Sequence, residues 1–169
     1  MYLRHSLIAL VTATLAAGTA QAVQEPQFQG EYSDWRVFTR ATDAGRVCYA
    51  LSRPTDTAPQ SHDHGSVYFL VSSWQSGAVE EQPSFLAGYD LRPTSPPQGR
   101  VGSTRYDMFA DGQEGFLDDL DEEPDLVREM RRGSVMRVTA TTADGVATSY
   151  EFSLSGVTAA LDRVGSLCG

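Results

Sequence analysis

No feature of this 169-residue sequence restricts its fold as much as the placement of its two cysteines. Cys48 sits in an early strand-like run, and Cys168 is followed only by Gly169. The stretch that carries the second cysteine reads as three instructions in a row. Tyr150, Phe152 and Leu154 alternate with Glu151 and Ser153, the two-residue period of a half-buried strand. Ser155-Gly156 breaks that period, and Val157, Ala160, Leu161 and Val164 then fall at helical spacing. Cys168 follows as a tether.

Residues 1–22 read as a cleaved secretory signal. Arg4 and His5 precede an apolar run from Leu7 to Ala17, and Ala20-Gln21-Ala22 supplies a small-residue cleavage site before Val23. That apolar run is well short of the ~20 residues that span a bilayer, and no later run is long enough, so no transmembrane span is expected. The mature chain is expected in the periplasm or secreted, an oxidising compartment. Two cysteines there admit one intramolecular disulfide, Cys48–Cys168; two free thiols, or a bridge to another chain, are the alternatives.

Charge narrows the partners. All 13 basic residues are arginine, against 22 acids, for a net charge of −9. Neutralising phosphates is the basis of nucleic-acid binding, so nucleic acid is not an expected partner, and anionic lipid is disfavoured too. With no lysine, the P-loop lysine, Schiff-base chemistry and Ser-Lys dyads are excluded. No cofactor is called for.

Along the mature chain, residues 23–33 read as a flexible arm and 34–169 as one domain. Residues 34–52 form a hairpin around Thr42-Asp43-Ala44-Gly45. Ser66–Ser73 is nearly continuously apolar, as in a central strand. A short strand at 85–89 and one or two more across 99–109 follow, with Asp111-Gly112 as a turn. Seven carboxylates lie between Glu114 and Asp125. Pro124 then opens a helix of about two turns, with Leu126, Val127 and Met130 on one face, which Gly133 ends. Asp144-Gly145 joins two β-rich runs as a hairpin. Seven or eight strands, one short internal helix and a short C-terminal helix predict an all-β sandwich.

Candidates for chemistry are few. His62 and His64, two residues apart, could face one metal ion, but zinc needs a third ligand. Asp119, Asp121 and Glu123 have the spacing of a calcium loop, yet Pro124 stands where its glycine belongs and Met130 where its bidentate glutamate belongs. No Gly-x-Ser-x-Gly elbow is present and nothing selects a carboxylate pair, so the chain is expected not to be an enzyme. A metal-binding module, or less readily a hydrolase, is the alternative to binding. Trp74, at the start of a loop, either caps the core or anchors a partner. Arg128, Arg131 and Arg132 either dock an acidic partner or pair with the chain's own acidic run.

Several stretches together resemble the invasion-associated locus B family of exported proteobacterial proteins. They are the signal sequence, Asp34-Trp35-Arg36-Val37-Phe38, the cysteine in the next strand, and Val67–Ser72. Glu129–Val138 and the closing Ser149–Leu161 with its terminal cysteine complete the set. This chain departs from the family in having Val157 where relatives carry an aromatic, and Ser149-Tyr150 where they carry Asp-Thr. The resemblance implies an immunoglobulin-like β-sandwich of the bacterial envelope or exterior, with no catalytic residue. The chain is expected to act by binding, with another protein of the envelope or of a host as its partner.

Overall fold

A computed structural model describes residues 25–169; the secretory signal read at 1–22 lies outside them. Its first element corrects the reading of 23–33 as a flexible arm. Gln27–Tyr32 is a strand, β1, paired antiparallel with β2 (Trp35–Thr42). None of its side chains is fully buried, so the ladder to its neighbour holds it, and no burial period marks it in the sequence. The turn at Thr42–Gly45 leads back into β3 (Gly45–Ser52), as its Thr-Asp-Ala-Gly chemistry demands.

The remaining strands are β4 (Asp56–Ala58), β5 (Tyr68–Trp74), β6 (Gln82–Leu86), β7 (Gln98–Val101), β8 (Thr104–Asp111) and β9 (Glu114–Leu117). Helix α1 (Glu123–Arg132), β10 (Val135–Thr141), β11 (Ala147–Ser153) and α2 (Val157–Cys168) complete the chain. The eleven strands form one antiparallel sheet in the order β1-β2-β3-β5-β6-β9-β8-β7-β10-β11-β4. The expected count of seven or eight falls short by the strands β1, β4 and β9. Helix α1 runs to ten residues rather than about two turns, and β6 lies three residues upstream of the strand expected at 85–89.

The sheet folds back on itself, and β8 is the corner. Its first half, Thr104–Asp107, pairs with β7, whereas Met108–Asp111 pairs with β9, so one strand serves both halves of the sheet. The consequence is visible across the core. Phe69 on β5 and Phe152 on β11 lie six strand positions apart, about 29 Å in a flat sheet, yet their ring centroids are 5.8 Å apart. Phe85 on β6 similarly meets Tyr150 on β11 at 5.4 Å. Trp35, Val37, Phe69, Val71, Phe85, Tyr150 and Phe152 are all fully buried there. The Trp35 indole N–H, which cannot be left unpaired at that depth, donates to the Ser153 carbonyl at 2.9 Å.

Helix α2 closes the structure. It buries Val157, Ala160, Leu161 and Val164, the stripe predicted from their spacing, and continues to Cys168, which is buried too. Cys168 bonds to Cys48 on β3, with Cα atoms 5.9 Å apart, so the intramolecular pairing is the one realised.

Candidate functional site

Because the side chains alternate along each strand, burying Trp35, Val37 and Thr39 on β2 turns Arg36, Phe38 and Arg40 outward. The same logic turns Val47, Tyr49 and Leu51 outward from β3, and Tyr68, Leu70, Ser72 and Trp74 outward from β5. Strand register then assembles these into rows. Phe28 opposes Phe38, Phe38 opposes Tyr49, and Tyr49 opposes Ser72. The next row runs Arg36, Leu51, Leu70, Ser84, Phe116, Phe109 across six strands.

This outer face is unusually apolar for a surface. Phe28 meets Phe38 edge-on and Phe38 stacks on Tyr49, with centroids 5.6 and 5.7 Å apart, and Phe28 remains 56% exposed at the edge. At the far end Phe109 packs on Phe116 and is 43% exposed. Arginines decorate the first end. The Arg36 guanidinium lies 5.8 Å from the Phe28 ring centroid and pairs with Glu31 at 2.9 Å. Arg53 lies 5.3 Å from the Tyr68 centroid and donates to its hydroxyl at 3.0 Å. Burial pushes the Tyr49 phenol above the ordinary tyrosine range, and Arg40 opposes that shift. Among the described residues, Arg40 and Arg53 form no ion pair. A groove of about 510 Å³ runs between Arg36 and Arg53 over Phe38, Leu51 and Tyr68.

The residues singled out from sequence lie mostly elsewhere. Trp74 ends β5 on this same outer face and is half-buried opposite Val47. Arg128, Arg131 and Arg132 do not act as one patch. Arg128 pairs with Asp125 on its own helix. Arg131 is engaged internally, at 2.6 Å from Glu81 and 2.8 Å from Asp162, which ties α1 to α2 and to the loop before β6. Arg132 is exposed. The acidic run is divided among β9, a short 3-10 turn at Leu120–Glu122 capped by the Asp119 side chain, and the start of α1. Among the described residues, no three His, Cys, Asp or Glu side chains come together as a metal-ligand set.

One carboxyl in that run carries a signed consequence. Glu123 has a buried, unpartnered Oε1; burial raises its pKa above the ordinary glutamate range, and a hydrogen bond with Gln82 opposes the rise. A raised folded-state pKa means stability that is present below the unfolded value, about 4.3, and lost as pH rises through the folded one. Glu123→Gln is therefore expected to raise the urea midpoint at pH 7. That gain should vanish in acid, where Glu123 is neutral in both states.

His62 and His64 are brought together with residues that sequence reasoning did not select. Gly65 and Gly88 let two backbones touch: a Cβ on Gly88 would lie 2.3 Å from the His64 carbonyl oxygen. Around this close approach His64 meets Tyr150, His62 packs on Tyr89, and Tyr89 reaches Tyr150 and Thr148 on β11. Both ring nitrogens of His64 are engaged, Nδ1 with the Tyr150 hydroxyl at 2.8 Å and Nε2 with the Pro59 carbonyl at 3.0 Å. The His62 ring stands edge-on, its centroid 5.1 Å from that of His64, with Nε2 buried and unpartnered. The adjacent glycines in His64-Gly65 and Gly88-Tyr89 were the available signal, but nothing in one sequence pairs them.

Comparison with protein-family models, with curated proteins and with solved structures finds no match to this chain.

Proposed function

We propose that this is an exported, non-enzymatic binding protein whose outer face on β1, β2, β3 and β5 docks an extended acidic segment of another protein. The observation that carries the reading is the coincidence of packed aromatic side chains with Arg36, Arg40 and Arg53 on one face of a chain whose net charge is −9. In so acidic a chain, Arg36 and Arg53 over aromatic rings, with Arg40 exposed on the same face, suit a ligand that offers carboxylates between apolar side chains. The Arg36–Glu31 pair is exposed, so exchanging Glu31 for a ligand carboxylate costs little.

Docking is through side chains rather than by adding a strand. The edge strand β1 carries a bulge between Phe28 and Gly30, which interrupts the row of backbone groups a new strand would need, and the other edge strand, β4, has three residues. The two facing halves of the sheet are read as the two layers of the immunoglobulin-like sandwich that the resemblance to invasion-associated locus B proteins implies. That resemblance favours a partner in the envelope or on a host, and a periplasmic or secreted location.

The test uses a fluorescent peptide of alternating glutamate and leucine as the probe. It should bind the oxidised protein, and Arg36→Glu/Arg40→Glu/Arg53→Glu should weaken binding at least about tenfold, or 1.4 kcal/mol. Equal binding by the triple variant, or no binding by the wild type, would remove the proposal.

A further inference from the structure

The outer face of the other half of the sheet, on β7, β8 and β10, carries a second group of arginines. Burying Val138 on β10, Val101 on β7 and Tyr106 on β8 turns Arg137, Arg100 and Arg105 outward, and all three are exposed. Register then sets them side by side: Arg137 opposes Arg100, and Arg100 opposes Arg105. Like charges directly opposite on neighbouring strands destabilise a sheet. Here three stand in one row about 10 Å long, two strand spacings, on a chain whose net charge is −9. The outer two lean on carboxylates, Arg137 on Glu151 and Arg105 on Asp107 at 3.4 Å. Arg100, between them, forms no ion pair among the described residues. Its Nε donates to the Gly102 carbonyl at 3.2 Å, which leaves the two terminal amino groups to fork an oxyanion.

We propose that this row binds the phosphate group of a sugar phosphate, with the sugar seated in the groove beside it. An anion on Arg100 relieves the repulsion along the row. It recruits Arg105 and Arg137 at little cost, because both side chains are exposed and exposed ion pairs are weak.

The size of the anion follows from what bounds the row. Glu151, which opposes Arg137, is itself opposed by Asp56 on one side, and Asp107 stands beside Arg105 on the other. A nucleic acid, with a charge about every 1.7 Å of its axis, runs into those carboxylates, whereas a single phosphate fits between them. A phosphomonoester brings about −1.5 to −2 charges at pH 7, so it answers three arginines better than one carboxylate does.

The sugar follows from the next row. Two residues along the strands, about 7 Å away, Ser149 opposes Thr139 and Thr139 opposes Gln98. These three line a groove of about 650 Å³ together with Ser95 and Thr141. Hydroxyls and a side-chain amide both donate and accept, as sugar hydroxyls require. The apolar lining of the groove is only alanine and proline, which offers no pocket for the large side chains that anchor a peptide.

An amide NMR titration of the oxidised protein with glucose 6-phosphate, glucose and inorganic phosphate, at constant ionic strength, tests both halves of the site. Glucose 6-phosphate should bind at least about tenfold more tightly than inorganic phosphate, with shifts centred on β7, β8 and β10, while glucose alone leaves the spectrum unchanged. Arg100→Gln should weaken glucose 6-phosphate by at least about tenfold, the loss of one charge-assisted contact. Thr139→Val should bring glucose 6-phosphate down to the affinity of inorganic phosphate. Equal affinity of the wild type for the two phosphates, or no binding of either, would overturn the proposal. So would shifts centred on β2 and β3, or an Arg100→Gln variant that binds like the wild type.

Discussion

Gly156→Ala is expected to destabilise the protein by roughly 3 kcal/mol or more. Gly156 caps α2 with φ +89°, in the left-handed region where a side chain is strained. Its added Cβ would also lie 2.0 Å from the Tyr32 carbonyl oxygen and 3.0 Å from Ser33 Cβ. Those are backbone and near-backbone atoms of the β1–β2 turn, and they have little freedom to withdraw, because Asp34 N–H already donates to the Ser155 carbonyl at 3.3 Å. Relief therefore requires separating the turn from the start of α2. Gly165 supplies the control. It lies inside the same helix, a Cβ there meets nothing within 4 Å, and Gly165→Ala should stabilise by up to about 1 kcal/mol. Urea midpoints for the two variants should move in opposite directions.

Loss of the disulfide is the second large effect. Cys48 and Cys168 close a loop of 120 residues, for which the chain-entropy model gives about 4 to 5 kcal/mol. The constraint acts mainly on the unfolded ensemble, since the native contacts of α2 through Val157, Ala160, Leu161 and Val164 do not depend on it. Cys48→Ala/Cys168→Ala should accordingly keep the native circular dichroism spectrum at low temperature while its urea midpoint falls steeply. A double variant with an unchanged midpoint would show that the bridge adds nothing.

The sequence made some of these elements plain and hid others for identifiable reasons. Where one face is buried and the other wet, as in Trp35–Thr42 or Tyr150–Phe152, alternation declares the strand. Helix α1 announced itself through Pro124 and Gly133, and α2 through Ser155-Gly156. Strands β1, β4 and β9 left no comparable pattern. Asp56–Ala58 buries no side chain fully, and its place in the sheet is fixed by backbone pairing with Glu151, Tyr150 and Ser149. Glu114–Leu117 was concealed by its position at the head of the acidic run, although Leu117 is fully buried.

The candidate site was half legible. Phe38 and Tyr49 were placed on strands, but a row such as Arg36, Leu51, Leu70, Phe116 exists only through register between strands distant in sequence. Composition likewise pointed to the arginines at 128–132, because they are adjacent in the chain. Tertiary packing then committed Arg131 to Glu81 and Asp162 and left Arg36, Arg40 and Arg53 on the apolar face.

That face is tested most directly by exchanging charge on both sides of the contact. The triple variant Arg36→Glu/Arg40→Glu/Arg53→Glu should lose the glutamate–leucine peptide and gain a lysine–leucine peptide of the same length, while the wild type shows the reverse preference. If both proteins bind both peptides alike, the apolar rows attract without selecting charge, and the account of an acidic partner at this surface fails.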